Sequence, residues 1–241
     1  MPLPKLNDIP KYDIVIPSTK IKTKYRPYLV KEEKILLLAL ESEETGEMAA
    51  ATLALCIACV DADLDPLSLT TYDIDYLFCM IRSKSVGETV TMNIKCEDSE
   101  CNEKTEVKIN LQETYIEGID FEPMIEINKD IKLEMQHITY LNAQKNIIED
   151  EDVGELQLNY VQQMIIGSIK AIHTEDERFD TNDSTNEELT EFLDQMTTEQ
   201  YTKLRTFITK IPIVTLKPKW DCVKCGKSQD MELRGLQDFF H

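Results

Sequence analysis

The chain has 241 residues, 42% of them hydrophobic, enough to bury an ample core, and it carries a formal net charge of −19 from 45 acidic against 26 basic residues. That balance argues against binding to a phosphate backbone or an anionic membrane surface, because no Lys/Arg cluster is available to release counterions. No apolar run reaches the roughly 18 residues of a membrane span, and MPLPKLNDIPKYD lacks the basic start and apolar stretch of a secretory signal, so the expected setting is a reducing cytoplasm.

In chain order, YDIVIPSTKIKTKYRP opens with alternating Ile14 and Ile16, a polar turn over Pro17 to Lys20 and a second strand from Ile21, which predicts a β-hairpin. A helix is expected over 29–42, with Glu32 and Glu33 in the first turn where the helix dipole favours acids. Further helices are expected over 46–60 and 71–84, the latter capped by Thr70 or Thr71 ahead of Asp73. ETVTMNIKCEDSECNEKTEVKINL (88–111) then reads as strand, cysteine turn and strand.

The plan repeats. PMIEINKDIKLEMQH gives a hairpin through Ile125 and Ile127, a turn at Asn128 to Asp130 and a strand from Ile131, followed by a helix near 138–149. Residues 154–173 place Leu158, Val161, Ile165, Ile169 and Ile172 at helical spacing. The acidic stretch 174–188 has no periodicity and reads as a solvated insertion. Thr197 or Thr198 starts a helix running to Lys210 and stopped by Pro212, burying Tyr201, Leu204 and Ile208. PIVTLKPKWDCVKCGKSQDMELRGL (212–236) closes the copy, its Val214-Thr215 matching Val90-Thr91 and Leu236 matching Leu111. The expected fold is α+β in two related halves, 1–115 and 116–241, each a hairpin, helices and a cysteine-tipped hairpin.

Seven cysteines, an odd number, disfavour a disulfide framework in a chain without a secretion signal. Cys56, Cys59 and Cys79 stand in apolar helical stretches and read as buried free thiols. Cys96 and Cys101 (C-x₄-C) and Cys222 and Cys225 (C-x₂-C, followed by Gly226) each tip a hairpin. Neither pair fills a four-coordinate site, but together they supply the four thiolates of a closed structural zinc. Paired reduced thiols, a redox C-x₂-C and an iron–sulfur cluster are the competing readings. His137, His173 and His241 join no Ser/His/Asp order, HExxH or phosphate loop, so no enzymatic activity and no small-molecule substrate is expected.

Three stretches carry a resemblance: RPYLVKEEK within Tyr25–Lys34, IRSKSVGE within Tyr72–Glu88, and the ending Gly235-Leu236 to Phe239-Phe240. With the opening LPKLNDIPKYDIVIPST, they are similar over essentially the whole chain to a baseplate protein family of T-even-like tailed bacteriophages, described as the baseplate hub subunit. The resemblance implies a virion-assembly protein that acts inside the infected bacterium through contacts with other baseplate and hub proteins. The expected function is structural or assembly, as a hub component of the tail baseplate; the alternatives are a chaperone that delivers or shapes hub subunits and then leaves, and a zinc-ribbon binding module acting in regulation or nucleic-acid contact, against which the acidic charge weighs. Leu236, Phe239 and Phe240 are expected to pack inward or to anchor a neighbouring subunit.

Overall fold

A computed structural model describes residues 9–42, 45–118, 121–145 and 153–239. Strands β1 (Tyr12–Val15) and β2 (Lys22–Tyr25) form the expected antiparallel hairpin, with Lys20 turning the chain at φ 60°. Ile14 and Ile16 are buried on one side of it, as a period of two requires. Helices α1 (Val30–Glu41), α2 (Thr45–Cys59) and α3 (Thr71–Ser85) follow, then a long hairpin of β3 (Thr89–Lys95) and β4 (Lys104–Asn110), and a short β5 (Tyr115–Glu117).

A second hairpin, β6 (Met124–Glu126) and β7 (Lys132–Met135), precedes α4 (Tyr140–Lys145) and α5 (Val153–Ser168). Next come β8 (Ile169–His173), β9 (Arg178–Asp180), α6 (Asn186–Asp194) and α7 (Thr198–Thr209). The chain ends with β10 (Ile213–Leu216), β11 (Lys219–Asp221), β12 (Ser228–Asp230), β13 (Leu233–Arg234) and α8 (Gly235–Phe239). The fold is a mixed α+β arrangement of several small sheets. No helix among the described residues is long and apolar enough to cross a membrane.

Two compact units emerge. The first takes the described residues of Met1–Pro66, Tyr72–Glu117 and Ile213–His241; the second takes those of Leu67–Thr71 and Gly118–Pro212. In the first, β10 pairs antiparallel with both β5 and β13, so Ile213 stands opposite Glu117 and the chain returns beside the strand it left. Ile74, Leu77 and Ile81 recur at helical spacing on α3 and are fully buried, and Ser18 fixes the same helix by donating N–H and O–H to the Asp73 carboxylate at 2.9 and 2.5 Å. In the second, the sheet β6-β7-β8-β9 carries Leu133, Met135 and Ile169 into a core completed by Ile165, Leu193 and Leu204 of its helices.

Two expectations need correction. The helix predicted to reach residue 173 ends at Ser168, and Ile169–His173 is strand β8. Ile169, Ile172 and their neighbours fit a helical stripe and a strand equally well, and pairing with β7 and β9 decides for the strand. His173 closes this strand, and its Nε2 lies 3.0 Å from Glu134 Oε2. The acidic stretch 174–188 is not structureless either. It contains β9 and the start of α6, where Thr185 and Glu188 cap each other reciprocally and Leu189 and Leu193 are buried one turn apart.

Helix α7 begins at the expected Thr197 cap, whose hydroxyl receives the Gln200 N–H, and Leu204 is fully buried with Tyr201 and Ile208 packed around the same core. Residues 146–149 of the helix expected over 138–149 and the side chain of Leu158 lie outside the described residues. Phe239 packs inward at 1% exposure, Leu236 is half-buried, and Phe240 lies outside the described residues.

One ion pair ties three elements of the first unit. Arg26, just past β2, donates to Glu32 Oε1 at 2.9 Å and to the Ala58 carbonyl at 2.9 Å, while Glu32 Oε2 accepts the Leu29 N–H at 2.8 Å. Burial raises the Glu32 carboxyl, but the Arg26 and Leu29 hydrogen bonds outweigh it and hold the group below its ordinary value. Arg26→Ala leaves the buried Glu32 carboxylate with only the exposed Lys31 ammonium at 3.3 Å and the Leu29 N–H, and is expected to lower unfolding free energy by about 2 kcal/mol in urea titrations near neutral pH. Because the folded-state pKa is depressed, the pair's contribution is present above the ordinary 4.5 and is lost as pH falls through the folded value. The difference between wild type and variant should shrink on acidification; a constant difference would contradict the assignment.

Candidate metal centre

The first unit brings two hairpin tips together. In β3–β4 the register runs from Thr89 opposite Asn110 to Lys95 opposite Lys104, placing Ile94, Val107 and Ile109 on the buried face. Beyond it the Cys96 N–H donates to the Glu103 carbonyl at 2.8 Å, and the Cys101 and Asn102 N–H groups both donate to the Asp98 carbonyl at 3.0 Å. In β11–β12 the register ends with Asp221 opposite Ser228, the Cys222 N–H donates to the Lys227 carbonyl at 3.0 Å, and the Gly226 N–H donates to the Cys222 carbonyl at 2.9 Å.

The two closures correspond. In each, the first cysteine donates to the carbonyl two residues past the second, and the residue just after the second cysteine is left-handed: Asn102 at φ 50°, Gly226 at φ 69°. Glycine and asparagine are the residues that enter this region most readily. The two additional residues of C-x₄-C are taken up before Cys101, where the Asp98 carboxylate accepts the Glu100 N–H at 3.0 Å.

Among the described residues, Cys96, Cys101, Cys222 and Cys225 are the one set of metal-ligating side chains with ligand atoms all within 4.8 Å of each other. The close approaches run across the hairpins: Cys96 Sγ to Cys225 Sγ is 3.8 Å, and Cys101 Sγ to Cys222 Sγ is 3.7 Å. A disulfide requires about 2.05 Å, so these are free thiols. Four thiolates at about 2.3 Å from a tetrahedral ion lie about 3.8 Å apart, which is the separation of both crossed pairs.

The electrostatics point the same way. The backbone N–H groups of Cys225 and Lys224 pull the Cys222 thiol down to about 6 against its burial. Cys225 is pushed up to about 11: the Lys227 N–H lowers it, but desolvation and the neighbouring sulfurs prevail. The Glu103 N–H likewise lowers Cys101, and desolvation with the surrounding sulfurs outweighs it to raise the thiol. Four sulfurs this close cannot all ionise unaided, so they share protons, and a cation at their centre would replace those protons.

A polar frame holds the tips in place. Gln229 Nε2 donates to Cys96 Sγ at 2.7 Å while its Oε1 accepts the Glu97 N–H at 3.1 Å. The Val223 N–H donates to Thr105 Oγ1 at 3.3 Å, Lys224 pairs with Glu103 at 3.4 Å, and Lys227 forms a close ion pair with Asp98. Lys227 together with the Glu100 N–H holds the Asp98 carboxyl below its ordinary range. None of these supporting residues stands out in the sequence, because each meets its partner across more than 100 residues of chain.

The remaining sequence candidates stand elsewhere. Cys56, Cys59 and Cys79 are buried in α2 and α3, and burial raises their thiols, Cys59 to about 11. His137 lines a groove of about 1090 Å³ beside β6 and α7 in the second unit, its ring 4.3 Å from that of Phe121, whose other neighbour Phe207 is 5.7 Å away. His241 lies outside the described residues.

The structure thus defines a mixed α+β protein with a cluster of four thiols close enough together to hold one metal ion. The chain belongs to the family of T4 bacteriophage base plate proteins, whose profile matches residues 9–241. It is 24% identical over 231 residues to a protein of Enterobacteria phage T4 called baseplate hub assembly protein gp26, covering 95% of this chain and 97% of that one. No solved structure matches it. At the centre itself, Gly226→Ala meets no steric obstacle but forces a side chain into φ 69°. The expected cost is about 1 kcal/mol in thermal or chemical unfolding, and an unchanged stability would show that the turn relaxes freely.

Proposed function

We propose that this chain assists assembly of the phage baseplate hub through protein–protein contacts, with Cys96, Cys101, Cys222 and Cys225 holding one structural zinc. The observation that carries the first part is the near end-to-end match to the phage T4 hub assembly protein, supported by family membership over residues 9–241. Its partners are other baseplate and hub proteins, met in the cytoplasm of the infected bacterium. The zinc reading rests on the 3.8 and 3.7 Å separations of the two crossed sulfur pairs, which suit a tetrahedral four-thiolate site, and on the protons the sulfurs must otherwise share. A closed four-thiolate site leaves no position for a reacting water, so the ion contributes folding energy rather than catalysis. The matching closures of the two cysteine hairpins also support an origin of the chain in two related halves, 1–115 and 116–241.

A second reading, retention as a hub subunit of the finished tail, rests on membership of a base plate protein family over residues 9–241. Quantitative mass spectrometry of purified particles separates them. Absence from particles with abundance in infected-cell lysate is expected for an assembly factor, whereas a small fixed copy number per particle means a retained subunit. The metal is tested on the purified protein: about one zinc per chain is expected, and Cys96→Ser and Cys222→Ser should each lower both metal content and melting temperature. A native, metal-free protein with unchanged stability would exclude the zinc.

A further inference from the structure

Helix α1 contradicts its surroundings. Residues 35–40 read Ile-Leu-Leu-Leu-Ala-Leu, a run that a water-facing helix does not carry. Ala39 is buried, as is Glu32, and Leu36 is half-buried, so this is the side turned to the rest of the first unit. Yet Val30 is 65% exposed, Ile35 51%, Leu37 52%, Leu38 66% and Leu40 63%. Five such side chains expose on the order of 500 Å² of apolar surface, the size at which a patch on a monomer is usually an interaction site.

The charges on the exposed side say what fits it. Val30, Lys34, Leu37 and Glu41 recur at the four- and three-residue spacing of a single helix face, with Leu38 beside them, and all are exposed. In an antiparallel contact between two identical helices, centred between Leu37 and Leu38, residues whose numbers sum to 75 come to the same level. Leu37 then packs beside Leu38 and Lys34 meets Glu41, each contact formed twice by the two-fold axis, while Ile35 and Leu40 lie about 110° round the helix to either side and stay outside the seam. Among the described residues neither Lys34 nor Glu41 is engaged in a salt bridge within its own chain. A lipid surface fits poorly, since the Glu41 carboxylate stands on the face itself and the chain carries a net charge of −19.

We propose that the exposed face of α1 docks a second copy of this chain, as an antiparallel α1–α1 pair with Lys34 and Glu41 exchanged between protomers. The part of this surface on one face, Val30, Leu37 and Leu38 with the stems of Lys34 and Glu41, buries less than about 1,000 Å² in such a pair, the range of weak and transient interfaces, so the association is concentration-dependent rather than permanent. Net repulsion between acidic copies is screened beyond about 8 Å at physiological salt, whereas the exchanged pairs are in contact.

The test is sedimentation equilibrium of the full chain across a wide concentration range, with circular dichroism to verify folding of each variant. Wild type should show a reversible rise from monomer to dimer mass. Lys34→Glu places two carboxylates opposite each other at both exchanged contacts, and Glu41→Lys places two ammonium groups there, so each should weaken self-association about tenfold. In an equimolar mixture of the two variants, position 34 of one chain meets position 41 of the other with opposite charge at both contacts. Mixing should therefore restore dimerisation to near the wild-type level. A wild-type chain that stays monomeric throughout, including one that binds a different baseplate protein through this face, overturns the proposal. So do variants that associate like wild type, or a mixture no tighter than either variant alone.

Discussion

Four sulfurs gathered within 4.8 Å join parts of the chain that lie 121 and 129 positions apart in sequence. Closing a loop of that length is entropically costly, and a single ion or sulfur contact offsets it only if the flanking backbone is already in place. That backbone is the return of the chain: β5 leaves the first unit at Glu117, and β10 re-enters beside it at Ile213. The long β3–β4 hairpin and the short β11–β12 hairpin are thereby presented tip to tip. Gln229, Thr105 and the Lys227–Asp98 pair then hold the tips in register. Cysteine geometry and strand pairing are in this sense one constraint.

The rest of the first unit is organised around buried polar groups rather than around oil alone. Arg26 and Glu32 fasten the exit of the first hairpin to the start of α1 and the end of α2, and Ser18 fastens the hairpin turn to Asp73 on α3. Such contacts contribute little net stability beyond an apolar replacement, but losing one partner is costly, so they fix a particular arrangement. In the proposed assembly role, which works through protein–protein contacts, a fixed arrangement is what the function requires. The second unit reaches the same end with a more conventional core, one sheet face against α5, α6 and α7.

Family membership and site chemistry also fit each other. In the proposed setting, the reducing cytoplasm of an infected bacterium, disulfides are not maintained but thiolate–metal sites are. The net charge of −19 favours solubility, and the apolar run on α1 is a place where several exposed hydrophobic side chains fall on one short helix.

Local chemistry alone determined much of this. Alternation at Ile14 and Ile16, the Thr197 cap and the apolar spacing on α3 are short-range signals, and the corresponding elements formed where those signals stand. The cysteine spacings pointed to the four candidate ligands, because a hairpin tip and a left-handed Gly226 are encoded within a few residues. What lay beyond the sequence was everything that depends on a distant partner. Ile169–His173 became a strand because β7 and β9 were there to pair with it, although its residues fit a helix. The stretch 174–188 acquired structure from pairing and capping that its polarity conceals. Gln229 and Asp98 became part of the thiol site because the fold placed them beside it. Periodicity and turn chemistry are properties of neighbours along the chain, whereas strand pairing and the assembly of a four-thiol site are properties of neighbours in space, which only the tertiary structure decided.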